Sequence, residues 1–348
     1  MTDQQPSFTY RDAGVDIDAG ERAVQLMKTH VKRTFTPAVL AELGTFGAMY
    51  ALDVAGMTQP VLISSADGVG TKLKFAFSTG RHTTVGQDLV NHCVNDILVQ
   101  GAKALFFMDY FAVGKLDPLV AAQVVEGLSV ACVEQGCSLI GGETAEMPDV
   151  YKKDEYDLVG TIIGELENGR VITGQKIKAG DVVLGLASTG LHTNGYTLAR
   201  KIFEGNKIPY TKYVKELKTT PAKALLKIHR AYYKSVYPMI QKFFPAVHGI
   251  AHITGGGFFD NIIRILPEGV TCVVNKKSWK PPAIFRYLQK KGNVEEHEMY
   301  RVFNMGIGLV IAVDRKKASA IKKFLTAKKE RVYEIGVMVK GEKKVVVG

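Results

Sequence analysis

The distribution of apolar and polar positions switches between two periods along this chain. Compact apolar runs closed off by glycine or polar turns occur at 61–66, 104–113, 137–142, 156–166, 181–187, 248–253, 306–313 and 331–339. Runs of that length between turn residues read as strands. Between them, apolar residues recur every three or four positions at 21–33, 84–99, 118–135, 196–204, 221–243 and 258–266, and along the Lys-rich stretch whose apolar side is Ala318, Ile321 and Leu325. That spacing predicts helices. Asp117-Pro118 opens one of them as N-cap and first helical residue, and Gly136 closes it. Strands and helices alternate in both halves at irregular spacing, which predicts an α+β chain of two domains, each of mixed sheets and helices. The Glu-Asn-Gly-Arg loop at 167–170 divides them into residues 1–168 and 169–348.

The polar residues that interrupt this pattern gather at strand ends. The run 61–66 delivers Asp67 into Gly68-Val69-Gly70-Thr71-Lys72. A divalent ion with a nucleotide requires carboxylate oxygens, and phosphate requires a cation and free backbone N–H groups, so this stretch has the equipment for both. It is not a Walker loop, because the Gly-x-x-x-x-Gly-Lys-Ser/Thr order is absent. The competing reading makes Asp67 a helix cap and Lys72 a surface charge. Asp88 and Asp96 lie eight residues apart, near one face of the helix 84–99. A carboxylate near a helix C-terminus is locally disfavoured, so Asp96 calls for a partner such as a metal ion.

Glu143 and Glu146 at the exit of strand 137–142 read either as a second metal or substrate contact or as a cap and a solvated loop. In the second half, His192-Thr193-Asn194-Gly195 enters a helix, which makes a ready anion site. His252-Ile253-Thr254-Gly255-Gly256-Gly257 fits an oxyanion or phosphate nest. The Asp- and Gly-dense stretch 8–22 reads as a mobile loop, and Phe46-Gly47-Ala48 as close packing, a ligand contact or a plain turn.

Composition narrows the class. The net charge of +11 is split, with 12 Lys+Arg against 21 Asp+Glu through residue 165 and 33 against 13 thereafter. An acidic half beside a basic half fits metal binding in the first and an anionic ligand in the second. No helix-turn-helix, RNP, KH or zinc-finger pattern accompanies the basic excess, so nucleic acid is not the expected partner. Four cysteines without a Cys-x-x-Cys pair predict buried thiols rather than a disulfide framework or a zinc site. No apolar run reaches the ~18 residues a membrane span needs, and the first residues are polar, so a cytoplasmic protein without membrane contact is expected.

Read together, Asp12-Ala-Gly-Val-Asp16-Ile-Asp18-Ala-Gly20, Phe46-Gly47-Ala48, Asp67-Gly-Val-Gly-Thr-Lys72, Val94-Asn95-Asp96, Gly141-Gly-Glu143-Thr-Ala-Glu146-Met-Pro148, His192-Thr-Asn-Gly195, Thr254-Gly-Gly-Gly257 and His297-Glu-Met-Tyr-Arg301 closely resemble the phosphoribosylformylglycinamidine cyclo-ligase, or aminoimidazole ribonucleotide synthetase, family. The resemblance spans nearly the whole chain. It implies the two-domain fold of that superfamily and a homodimer paired through the N-terminal sheet domain, which binds ATP near the dimer interface. It also implies ATP-dependent closure of the imidazole ring of formylglycinamidine ribonucleotide through an imidate phosphate, with Mg2+ and K+ required.

On that reading Asp67, Asp96 and Glu143 hold the metal, and Phe46, Gly47, Asp67, Gly68, Gly70, Thr71, Lys72 and Asp96 line the nucleotide site. Lys72 sits on a phosphate oxygen. His192, with His252 as second choice, transfers protons, and His192, Asn194, Gly195 and Thr254, Gly255, Gly256, Gly257 hold the substrate. The loop 12–20 closes over the nucleotide. The chain departs from the family's Pro-Thr-Arg motif in Leu225–Tyr232, where Arg230 and Tyr232 are kept. Selenophosphate synthetase would require a cysteine before Cys93, and thiamine-monophosphate kinase paired aspartates at Phe46-Gly47-Ala48, so neither relative fits.

Overall fold

The computed structural model describes residues 8–348; the polar segment 1–7 lies outside them. The first half contains α1 (Ile17–Lys32), β1 (Pro60–Gly68), α2 (Leu73–Thr79), α3 (Thr83–Leu98), β2 (Lys103–Val113), α4 (Pro118–Gln135), β3 (Ser138–Glu146) and β4 (Tyr156–Glu167). Its strands form one mixed sheet in the order β1-β4-β2-β3, with β2 and β3 parallel across the α4 crossover. Phe107, Leu139, Leu158 and Ile162 join residues of α1, α3 and α4 in a buried cluster. The two central helices touch at backbone distance: a Cβ at Gly86 would meet the Val124 carbonyl at 2.2 Å, and one at Gly127 the Thr83 carbonyl at 2.0 Å. The opposite face of the sheet is more open, with Leu62 60% exposed and Phe106 covered by the Tyr50 ring.

The second half contains β5 (Val182–Ala187), α5 (Tyr196–Gly205), α6 (Pro221–Leu225), α7 (Tyr233–Phe243), β6 (Val247–His252), α8 (Gly257–Ile262), β7 (Val270–Val274), α9 (Ala283–Gly292), α10 (Glu296–Val302), β8 (Ile307–Val313), α11 (Ala318–Ala327), β9 (Val332–Lys340) and β10 (Lys344–Val347). Its sheet runs β10-β7-β9-β5-β8-β6 and is covered on both faces. Val183, Val310 and Ala312 pack toward α5, α8 and α9, while Leu184, Leu186 and Ile311 pack toward α7 and α11. None of the described helices is long and apolar enough to cross a membrane.

Three elements differ from the sequence pattern. Helix α1 starts at Ile17, not near 21, because the Asp16 side chain accepts the Ala19 N–H and caps it. The loop before it is pinned as well, with the Asp16 N–H donating to Glu146 Oε2 at 2.7 Å. Strand β3 runs on to Glu146, so Glu143 and Glu146 stand within it and not beyond its exit. The expected helix 221–243 is broken: residues 226–232 leave helical geometry between α6 and α7.

That break is where the halves join. Helix α3 presents a buried polar stripe to residues 229–232. Asp88 Oδ1 accepts the His229 N–H at 2.7 Å, and Asn91 Nδ2 donates to the His229 carbonyl at 2.9 Å. Asn95 Nδ2 donates to the Arg230 carbonyl at 2.9 Å, and its Oδ1 accepts the Tyr232 N–H at 3.1 Å. Lys72, fully buried, lies 2.8 Å from Asp88 Oδ2 and donates to the carbonyls of His192 and Lys227 at 3.0 and 2.8 Å. Burial pushes Lys72 down and Asp88 up from their ordinary values, and each opposes the shift of the other.

Removing one member of such a pair strands the other charge. Lys72→Ala and Asp88→Ala are each expected to cost about 3–5 kcal/mol of unfolding free energy in urea titration, and Lys72→Met with Asp88→Leu clearly less than their sum. A surface lysine at 72 would show under 1 kcal/mol. A second expectation concerns Asp109 on β2, whose carboxyl burial pushes up to about 7. A folded-state value above the unfolded one stabilises fully below ~4 and is lost as pH rises through 7. Asp109→Asn therefore gains in melting temperature over the parent chain between pH 4 and 8; a gain independent of pH would refute the assignment.

Candidate active site

Between the halves lies a cleft of about 520 Å³ whose walls include Ser65 and Asp67 from β1, Asp96 from α3, and His252, Thr254 and Arg264 from the second half. The C-terminal ends of β1 and β6 both border it, so Asp67 and His252, at or next to the last residue of those strands, are delivered to the same space. Asp67 is 45% exposed there and Asp96 25%.

Behind these carboxylates stand four buried histidines, His92, His192, His229 and His252. Asp67 Oδ2 lies 2.9 Å from His92 Nε2, and Asp96 Oδ1 lies 2.7 Å from His252 Nδ1. Carboxylates only accept, so each imidazole carries a proton on that nitrogen. His92 Nδ1 lies 2.6 Å from Thr193 Oγ1, Thr193 Oγ1 lies 3.4 Å from His229 Nδ1, and His229 Nε2 lies 3.0 Å from His252 Nε2. The result is one hydrogen-bonded line from Asp67 through His92, Thr193, His229 and His252 to Asp96. Filling every link takes one proton more than three neutral imidazoles and one hydroxyl carry: directed one way the extra proton is on His92, directed the other way on His252. Asn95 Nδ2, 3.3 Å from His229 Nε2, favours the second direction, and the two carboxylates beside His92 favour the first.

The electrostatics set these groups apart. Burial opposes ionisation of Asp67 and Asp96, but the histidines facing them outweigh it and hold both carboxyls below the usual range. Burial also opposes charge on His92, yet Asp67 and Asp96 raise it, whereas burial holds His252 down against the pull of Asp96. His192 and His229 are driven well below the ordinary value, first by burial and then by their cationic neighbours.

Several expected site residues lie elsewhere. Lys72 is not available to a phosphate, because its ammonium is sealed in the joint and turned toward Asp88 and two carbonyls. His192 is 1% exposed and stands behind His229, whose ring stacks on it at 4.0 Å between centroids. Its Nε2 faces the N–H groups of Thr189 and Arg230, so it organises backbone and does not border the cleft. Glu143 lies on β3 and Asp67 on β1, the two opposite edges of the sheet, so the three carboxylates do not converge within one chain. Phe46 is fully solvent-exposed, and a Cβ at Gly47 would touch nothing.

Thr71 Oγ1 reaches across to Thr197 Oγ1 at 2.9 Å, beside the turn of Gly68 and Gly70. Asn194 approaches Gly255, which brings the turns of Gly195 and Thr254–Gly257 together. The glycine turn is held from inside, since Asn261 Nδ2 donates to the carbonyls of Thr254, Gly255 and Gly257.

Asp67 and Asp96 share His92 Nε2, at 2.9 and 3.5 Å, and face the open cleft. Two hard oxygen donors beside open space suit Mg2+, which keeps waters and takes one or two carboxylates with phosphate oxygens. His92 escaped the sequence reading although Asp88, His92 and Asp96 recur every four residues on one helix face. His229 left no local signal, because its neighbours in the line come from positions more than twenty residues away.

Residues 12–166 match the family described as AIR synthase related protein, N-terminal domain, and residues 178–348 match the corresponding C-terminal domain. A curated protein of Alkaliphilus metalliredigens named phosphoribosylformylglycinamidine cyclo-ligase is 46% identical over 98% of both chains. One of the same name from Desulfitobacterium hafniense is 51% identical over 94% of this chain and 96% of its own. Among solved structures, thiamine-monophosphate kinase from Stenotrophomonas maltophilia aligns with a TM-score of 0.69 at 14% identity, covering 94% of this chain and 95% of its own. The hydrogenase maturation protein HypE in complex with ATP aligns at 0.66 and 17% identity, covering 94% and 90%. At such identities these two attest the fold alone, whereas with both domains present in order over nearly its whole length the chain belongs to the AIR synthase related family.

Proposed function

We propose that this protein catalyses the ATP-dependent cyclisation of formylglycinamidine ribonucleotide to 5-aminoimidazole ribonucleotide, releasing ADP and phosphate. The observation that carries this is the near-full-length identity of 46–51% to proteins named for that reaction. ATP phosphorylates the formamide oxygen and turns it into a leaving phosphate; the amidine nitrogen then attacks the imidate carbon, and a proton leaves the nitrogen. ATP is bound by the first domain, 1–168, and the ribonucleotide is held chiefly by the second, 169–348.

Asp67 and Asp96 would hold Mg2+, which would supply positive charge against that developing on the transferred phosphoryl group. The residues' own contribution is positioning. The proton released at ring closure leaves with the departing phosphate, while His252 on Asp96 and His92 on Asp67 fix the two carboxylates in place, and Thr193 and His229 tie these two imidazoles together. Arg11 and Gly14–Asp16 of the loop before α1, with Lys115, Lys152 and Lys153, border a separate cavity of about 730 Å³, and this loop closes over the nucleotide. A monovalent cation such as K+ completes the ionic requirement.

The open sheet face around Leu62, together with Leu40, Phe46 and Met49, at least 56% exposed each, supports pairing of two copies into a homodimer. Four buried free cysteines suit the reducing cytoplasm.

The decisive assay supplies Mg2+, K+, ATP and formylglycinamidine ribonucleotide and measures ADP and aminoimidazole ribonucleotide together. Equal amounts of both are expected; ADP without the imidazole would refute the reading. In the same assay His252→Gln, which removes the imidazole that fixes Asp96, is expected to lower kcat by about 10–100-fold. Thr193→Val, which removes only the hydroxyl in the middle of the line, is expected to lower kcat about tenfold with KM unchanged. An unaltered kcat in Thr193→Val would break the connection drawn between the two carboxylates.

A further inference from the structure

We infer that Arg264 is the phosphate anchor of the inter-domain cleft and binds the 5′-phosphate of the ribonucleotide, an assignment that rests on the cyclisation reading. The cleft is lined by two carboxylates, two histidines and several hydroxyl and aliphatic side chains, and by a single arginine or lysine, Arg264. A phosphate dianion placed at the Asp67–Asp96 end would face like charge. The substrate must therefore lie with its phosphate toward Arg264, which leaves its formamide and amidine at the carboxylate end, where the chemistry is.

Arg264 is equipped for this. Arg200, Arg230 and Arg301 of the same half each sit within 4 Å of a carboxylate, at Glu204, Glu330 and Glu298. Among the described residues Arg264, like Arg170, Arg286, Arg315 and Arg331 of that half, has no carboxylate within that distance, and of these it is the one that lines the cleft. Its backbone is fixed on both sides. It sits in the 3₁₀ turn Ile263–Ile265 directly after α8. A Cβ at Gly174 would lie 2.0 Å from the Ile265 carbonyl, so the linker between the halves packs onto that turn without a gap. Asn261, three residues earlier, is buried and tied to the glycine turn. Arg264, exposed on a rigid base, lines the cleft, and a planar fork of this kind meets phosphate oxygens in pairs. The glycine turn, by contrast, spends its carbonyls on Asn261 and the Gly257 N–H on the Thr254 carbonyl, and brings no formal charge.

The test compares the parent enzyme with Arg264→Ala and Arg264→Lys on formylglycinamidine ribonucleotide and on the same compound lacking its 5′-phosphate, with ribose 5-phosphate binding followed by calorimetry. Arg264→Ala is expected to raise KM for the ribonucleotide about 10–100-fold, with KM for ATP unchanged and an unaltered melting temperature. Lysine should recover part of the loss. The dephosphorylated compound should be an equally poor substrate for parent and Arg264→Ala. Unchanged KM for the ribonucleotide, a rise in KM for ATP instead, or an equal further loss on the dephosphorylated compound would each overturn the assignment. If the parent forms no aminoimidazole yet binds ribose 5-phosphate in an Arg264-dependent way, the anchor stands and the cyclisation reading falls. Absence of that binding in the parent removes the anchor as well.

Discussion

One buried charge pair and the polar helix face beside it determine how the two halves meet. Lys72 and Asp88, both withdrawn from water, are satisfied only because residues 192 and 227–229 bring backbone carbonyls and an N–H to them. Desolvating two charges is expensive, and the return comes from the complete set of partners around them and not from the pair in isolation. Such a joint has high geometric specificity. It permits little sliding of one sheet against the other, and the cleft, which lies one to two helical turns further along α3, inherits that rigidity.

The same helix therefore does two jobs with one periodicity. Asp88, Asn91 and Asn95 hold the joint, while His92 and Asp96 face the cleft. The line of histidines ties these jobs together, since His229 gives its backbone to the joint and its imidazole to His252. The cleft chemistry is thus built on residues already immobilised by folding, the condition under which hydrogen-bond directions stay fixed through a reaction.

Much of this was legible in the chain itself. Apolar runs between turn residues located β1, β2, β4 and β8, and Asp117-Pro118 with Gly136 bounded α4 closely, since strand burial and helix caps are local physics. Asp67, Asp96 and His252 were legible as polar residues near the C-terminal ends of their strands and helix. Lys72 was misread because a lysine that meets a phosphate and one that meets a buried aspartate look alike in sequence; only the second half of the chain decides between them. The break at 226–232 was hidden for a related reason. Leu225, Leu226, Ile228 and Tyr232 continue a helical spacing, but the hydrogen bonds that helix would have made internally are supplied by α3, more than 130 residues earlier, and tertiary contacts override propensity. His229 lies inside that break and shares its invisibility.

The way the 226–232 segment is held has an evolutionary consequence. Helix α3 and Lys72 grip it through its main-chain amides and carbonyls, which every residue type except proline supplies in full. What side chain stands at 229 is therefore of little account to the backbone contacts of the joint, though it decides what His252 meets behind the cleft. The departure from a Pro-Thr-Arg motif that the resemblance implied lies in this same stretch, Leu225–Tyr232, where this chain has an imidazole at 229. Architecture and chemistry are thus decoupled at this one stretch, so that substitution can retune the reaction environment while the assembly of the two halves stays as it was.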